Sequence, residues 1–168
     1  CFEVLAEVAG RAVPRARVLA IGDGLATDVA GGIRAGLDVL FVNAGVGAFA
    51  PVREITPALW DEVHSVNLRG CFFAAQKILP LMSSGGSIVI TGSIGADAAI
   101  PGNAVYGAAK AGVEGLTRGL AVEMAPDNIR VNCVAPGAID TPLNLDAWTP
   151  EVRRTYLERI PLGRVGAE

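Results

Sequence analysis

Tyr106 and Lys110 stand four positions apart in Tyr106-Gly107-Ala108-Ala109-Lys110. On a helix this spacing brings both side chains to one face, with Cβ atoms about 5–6 Å apart. A free tyrosine titrates near pH ~10, and a fixed ammonium beside it favours the phenolate. Such a phenol can pass a proton near neutral pH. Ser93 precedes Tyr106 by 13 residues and follows the apolar run Ser87-Ile88-Val89-Ile90. If that run is a buried strand, the Ser93 hydroxyl sits at its C-terminal edge, where open α/β sheets bind ligands. A Tyr–Lys pair at this spacing also serves to solvate a helix face, so the surrounding elements must decide between the two.

Those elements alternate. The spacing of apolar residues predicts a helix over Cys1–Ala9, closed by Gly10, and a short strand over Arg17–Ile21. A glycine-rich turn carrying Asp23 and Asp28 follows, then a helix over 29–35 and a strand over Leu37–Val42. The two strands with their crossover are expected to be parallel. Asn43-Ala44-Gly45-Val46-Gly47 is a loop of small residues. Thr56-Pro57 is a helix start with an N-cap oxygen and proline at N1, and the helix is expected to run to Met82 with a bend near Asn67–Gly70 and to end in Ser83-Ser84-Gly85-Gly86. Further helices are expected over Val105–Met124 and Trp148–Leu157, with a strand over Ile129–Val134 between them and a loop-like C-terminus. The pattern implies an α/β fold with a doubly wound parallel sheet.

Half of the chain is hydrophobic (51%) and only 18% is charged, yet the apolar runs are short and none reaches the ~20 residues that cross a bilayer. They read as buried parallel strands. A net charge of −3 without any block of Lys or Arg argues against nucleic-acid binding. Cys1, Cys71 and Cys133 are far apart and His64 is alone, so no metal-ligand spacing exists. They fit free thiols in a reducing compartment. With no signal-peptide pattern, a cytoplasmic location is expected.

From Leu37 onward the chain resembles the short-chain dehydrogenase/reductase family. The resemblance rests on Asn43-Ala44-Gly45 after a strand, Val66-Asn67 within a helix, Ser93, Tyr106-x-x-x-Lys110, and Pro136-Gly137 followed by Ile139 and Thr141, motifs that gain weight from occurring together in order. It implies a Rossmann-like fold and hydride transfer between NAD or NADP and a small carbonyl or alcohol substrate. Tyr106 would exchange the hydroxyl proton, Ser93 would hydrogen-bond the substrate oxygen, Lys110 would lower the tyrosine pKa while contacting the nicotinamide ribose, and Asn67 would hold a water for proton relay. Asn43, Ala44 and Gly45 would line the cofactor, and Pro136, Gly137, Ala138, Ile139 and Thr141 would meet the nicotinamide amide. A homo-oligomer is implied as well, without nucleic-acid or membrane partners.

The family's Thr-Gly-x-x-x-Gly-x-Gly turn, which lays pyrophosphate on a helix N-terminus, has no counterpart before Asn43, and no closing strand follows Arg159. The first forty residues resemble instead the last acidic motif of haloacid-dehalogenase-like phosphatases, in which the carboxylates corresponding to Asp23 and Asp28 would hold Mg²⁺. The expectation is one Rossmann-like domain over 1–168, truncated or chimeric, with a joint near 36–43. Two alternatives to a reductase stand beside it: a Mg²⁺-dependent phosphohydrolase remnant using Asp23 and Asp28, and a catalytically silent Rossmann-like fragment.

Overall fold

A computed structural model describes residues 18–21, 37–98, 100–141, 144 and 148–167. The turn with Asp23 and Asp28, the segment over 29–35 and the N-terminal helix expected over Cys1–Ala9 lie outside the described residues.

Among the described residues, four strands form one sheet in the order β1 (Val18–Ile21), β2 (Leu37–Val42), β3 (Met82–Thr91) and β4 (Arg130–Val134), and every neighbouring pair is parallel. The centre of β3 explains this choice. Ser87, Ile88, Val89 and Ile90 are all buried, an unbroken run rather than an alternation, as expected of a strand covered on both faces. Helices α2 (Cys71–Ile78) and α3 (Ala104–Met124) pack on the sheet, α1 (Pro57–His64) packs against α3, and α4 (Pro150–Arg159) buries no residue. The main core joins Leu40, Val42, Ile88 and Ile90 of the sheet to Ala75 and Ile78 of α2 and Val113 and Leu120 of α3. Burying each Leu, Ile or Val side chain among these contributes about 1.5–3 kcal/mol.

The long helix expected over 57–82 is interrupted more strongly than a bend. A π turn over Ser65–Gly70 separates α1 from α2, and a 3-10 turn over Leu79–Leu81 ends the run at a proline. Ser83-Ser84-Gly85-Gly86 lies within β3, not in a separate loop. Gly85 has φ +86°, and the register slips there, from Leu37↔Met82 to Val39↔Ser87, because a left-handed glycine lets the strand take in extra residues. At the far end of α3, Pro126 and a left-handed Asn128 (φ 57°) turn the chain into β4. The C-terminal segment is not wholly free of pairing, since Gly166 bridges to Ile139 in parallel.

Candidate active site

Strands β2, β3 and β4 end side by side, with Val42 opposite Ile90 and Thr91 opposite Val134. The chains leaving them are tied together: Gly92 donates its N–H to the Val134 carbonyl (2.7 Å), and Ile94 donates to the Pro136 carbonyl (3.1 Å). Above this edge lies a cavity of about 670 Å³. Asn43 and Gly45 line it from the β2 loop, Ser93 from the β3 loop, Tyr106 and Lys110 from α3, and Pro136, Gly137, Ala138, Ile139 and Thr141 from the β4 loop. Among the expected site residues, Ala44 and Asn67 do not reach the cavity wall, and Asp23 and Asp28 lie outside the described residues.

Each polar group at the edge has a defined orientation. Ser93 caps a 3-10 turn over Ile94–Ala96, its Oγ accepting the Gly95 N–H at 3.0 Å. That contact uses a lone pair and leaves the hydroxyl proton to be donated elsewhere. Lys110 is 3% exposed. Its Nζ lies 5.8 Å from the centroid of the Tyr106 ring and donates to the Thr91 carbonyl at 2.8 Å, while Thr91 Oγ1 donates to Asn43 Oδ1 at 2.9 Å. Burial pushes the Lys110 ammonium below its ordinary value, opposed by the neighbouring thiols of Cys71 and Cys133. A positive charge is costlier to hold in such a buried position than in water.

Asn67 sits behind the cavity, fully buried in the π turn. Its side chain grips the backbone of Val46 from both ends, Nδ2 donating to the Val46 carbonyl (2.8 Å) and Oδ1 accepting the Val46 N–H (2.9 Å). The amide therefore fixes the loop that begins at Asn43. In the π turn the Cys71 N–H is directed to the Leu68 carbonyl and not to that of Asn67. The Cys71 thiol reaches the Asn67 carbonyl at 3.1 Å.

Two site residues have no strong signal in the sequence. Thr91 ends a strand as many threonines do. Asn103 precedes a helix and so suggests an N-cap, yet its side chain makes no cap bond and donates instead to the Gly95 carbonyl at 2.8 Å. A contact eight residues back in the chain is invisible to helix periodicity.

The family model described as enoyl-(acyl carrier protein) reductase matches residues 23–168. The chain belongs to the short-chain dehydrogenase/reductase family. The match runs through the joint expected near 36–43 and includes Asp23 and Asp28. The chain is 44% identical over 132 residues to the 3-oxoacyl-[acyl-carrier-protein] reductase of Thermotoga maritima, covering 77% of this chain and 53% of that one. It is 35% identical over 161 residues to dehydrogenase/reductase SDR family member 4 of Sus scrofa, covering 94% and 55%. In structure it is similar to the angucycline C-6 ketoreductase LanV, solved with bound NADP, at a TM-score of 0.78 and 31% identity over 86% of this chain and 60% of that one. This short-chain dehydrogenase/reductase chain thus spans about half the length of the curated relatives it matches.

The residues present fit the nicotinamide end of a dinucleotide. A Cβ at Gly45 would stand 3.2 Å from Asn67 Oδ1 and 3.8 Å from the Lys110 ammonium. The bare glycine therefore keeps the approach to that ammonium clear. Gly137 leaves similar room, with only Ile94 Cδ1 near, at 3.8 Å from where its Cβ would be.

Proposed function

We propose that this chain carries the catalytic half of an NAD- or NADP-dependent oxidoreductase acting on a small carbonyl or alcohol. The observation that carries the reading is the convergence of Ser93, Tyr106 and Lys110 on one cavity at the C-terminal edge of the sheet. When bound, the nicotinamide cofactor supplies or accepts the hydride. Asn43 and Gly45 would line it, Lys110 would donate to its ribose, and Pro136, Gly137, Ile139 and Thr141 would meet its amide. The Ser93 hydroxyl donates to the substrate oxygen as negative charge grows there. Tyr106 gives that oxygen its proton in reduction and takes it back in oxidation. Lys110 holds positive charge beside the phenol, and the Asn67 carbonyl holds a water that returns the proton to solvent.

Homo-oligomerisation and a cytoplasmic location belong to the same reading. Phe72 and Phe73 are partly exposed on α2, which suits a subunit contact, and Cys71 and Cys133 are free thiols, which suits a reducing compartment. Among the described residues, no helix is long and apolar enough to cross a membrane.

The test is a titration of NADH and NADPH into the protein by fluorescence, with carbonyl reduction and phosphate release assayed in parallel. Nicotinamide binding with turnover that Tyr106→Phe abolishes is the expected result. Failure to bind either cofactor overturns the reading for this chain, and phosphate release that needs Mg²⁺ and Asp23 favours the phosphohydrolase.

A further inference from the structure

Gly95 lies at a meeting point. A Cβ built there would stand 3.2 Å from Ser93 Oγ, 3.2 Å from Tyr106 Cε1 and 3.5 Å from Asn103 Nδ2. The serine turn and the tyrosine helix therefore touch across a residue with no side chain. Asn103 supplies the missing link. It is 5% exposed, and its Nδ2 donates to the Gly95 carbonyl at 2.8 Å and approaches the Ala98 carbonyl at 3.5 Å. Its Oδ1 is buried without a partner. Turning the amide over would set that oxygen against two carbonyl oxygens, so the donor end must face Gly95.

The same residue is built into the helix. Its carbonyl accepts the Gly107 N–H at 2.7 Å, and Gly107 is so close to the serine turn that a Cβ there would lie 2.9 Å from the Gly95 carbonyl. One side chain thus joins the turn that Ser93 caps to the first turn of α3, which carries Tyr106. The residue before it does separate work. Gly102, at φ +79°, accepts the Ala50 N–H at 3.1 Å and anchors the loop whose Phe49 ring lies 5.7 Å from that of Tyr106.

We infer that Asn103 is a positioning residue for the reaction: its amide donor holds the Ser93 turn against the start of α3 and so fixes the separation between the Ser93 hydroxyl and the Tyr106 phenol. The inference rests on the reductase reading for its catalytic consequence, but the tie itself can be observed without turnover. Misplacing a catalytic group by about 1 Å can cost on the order of 10²-fold in rate.

The experiment is amide hydrogen exchange by NMR on the full 168-residue chain, paired with steady-state kinetics of ketone reduction with NADH and with NADPH. The variants are Asn103→Ala, Asn103→Asp and Gly102→Ala. Asn103→Asp keeps the shape and replaces the donor with an acceptor. Both Asn103 variants are expected to speed exchange at the Gly95 N–H by about tenfold or more, to leave α3 protected beyond Val113, and to lower kcat by about 10–100-fold with cofactor KM unchanged. Gly102→Ala strains a left-handed position whose Cβ would lie 3.3 Å from the Ala50 nitrogen. It should raise KM for the ketone and spare Gly95. Wild-type exchange at Gly95 in Asn103→Asp overturns the inference. Loss of protection along all of α3 does so too, because Asn103 would then only start the helix. If the wild type reduces no ketone, the reductase reading fails, while the exchange data still decide whether Asn103 holds the turn.

Discussion

Helices α3 and α4 both reach the cavity and are built in opposite ways. Over its 21 residues α3 buries Val105, Ala109, Lys110, Val113, Thr117 and Leu120, and it packs against β4 and the π turn. Over ten residues α4 buries none, although Tyr156 and the adjacent Trp148, their rings 5.0 Å apart, line the cavity. It is held by caps and surface bonds: Thr149 Oγ1 accepts the Val152 N–H, and Arg153 grips Asp140 with two hydrogen bonds. The groups that would move protons are thus fixed by the core. The wall that would meet the substrate is attached to the surface, where its side chains can change without disturbing the sheet.

The comparison separates rate from recognition, and the largest effect should fall on the α3 side. Tyr106→Phe removes the phenolic proton while keeping the ring against Phe49. Turnover is expected to fall by about 10³-fold with cofactor affinity retained, measured by kcat beside fluorescence titration. A variant that keeps wild-type kcat would remove α3 from the chemistry. Ser93→Ala should cost about 10²-fold, since one donor to the developing oxyanion is lost. It also removes the acceptor of the Gly95 N–H, so exchange there should quicken in the same variant.

Much of the α3 side was legible in the sequence. Tyr106 and Lys110 share a face because helical spacing requires it, and Ser93 joins them because a buried strand must end at the sheet edge. The identities of β2, β3 and β4 followed from apolar runs between glycine-rich turns, while their order in the sheet is set by the pairing itself. The π turn was legible only as a weak point near Asn67, because hydrophobic periodicity does not register one extra residue per turn. Thr91 and Asn103 were not legible at all. Their partners, Asn43 and Gly95, are set by strand pairing and by a glycine contact that no local pattern encodes. The slip inside β3 was missed for a related reason, since Ser83-Ser84-Gly85-Gly86 has turn composition and becomes strand only through pairing with β2.

Asn67 tests whether the rigid side extends behind the cavity. Asn67→Ala leaves the Val46 N–H and carbonyl without partners, each worth about 1–3 kcal/mol when buried. As Val46 is half-buried, a loss of about 2 kcal/mol in unfolding free energy is expected by denaturant titration. No loss would mean that the β2 loop is held by other contacts.

Lys110 sharpens the contrast through pH. Burial holds its folded value below the ordinary 10.5, so between the two values the unfolded chain binds more protons and this group makes stability rise with pH. The thiols of Cys71 and Cys133, pushed up from 9.0 by burial, act in the opposite sense above that pH. Lys110→Met should flatten the rising part of the Tm profile. A profile identical to wild type would show that the lysine is not desolvated in solution.

The smallest effect should come from α4. Asp140 and Arg153 lie at 2.6 Å, each more than a third exposed, and solvent screens such pairs strongly. Yet Asp140 also donates its N–H to the Gly166 carbonyl, and Ile139 beside it bridges to Gly166, so the pair sets where α4 stands over the loop that lines the cavity. Arg153→Ala should therefore change ketone KM a few-fold, with kcat and Tm close to wild type. The guanidinium holds the Asp140 carboxyl below its ordinary value. The contribution is thus present above the ordinary value of 3.8 and lost as pH falls through the lowered one, so the KM difference between wild type and variant should be constant from pH ~5 upward. A drop in kcat as large as that of Ser93→Ala would break the division, because α4 would then be shaping the reacting atoms and not only the wall beside them.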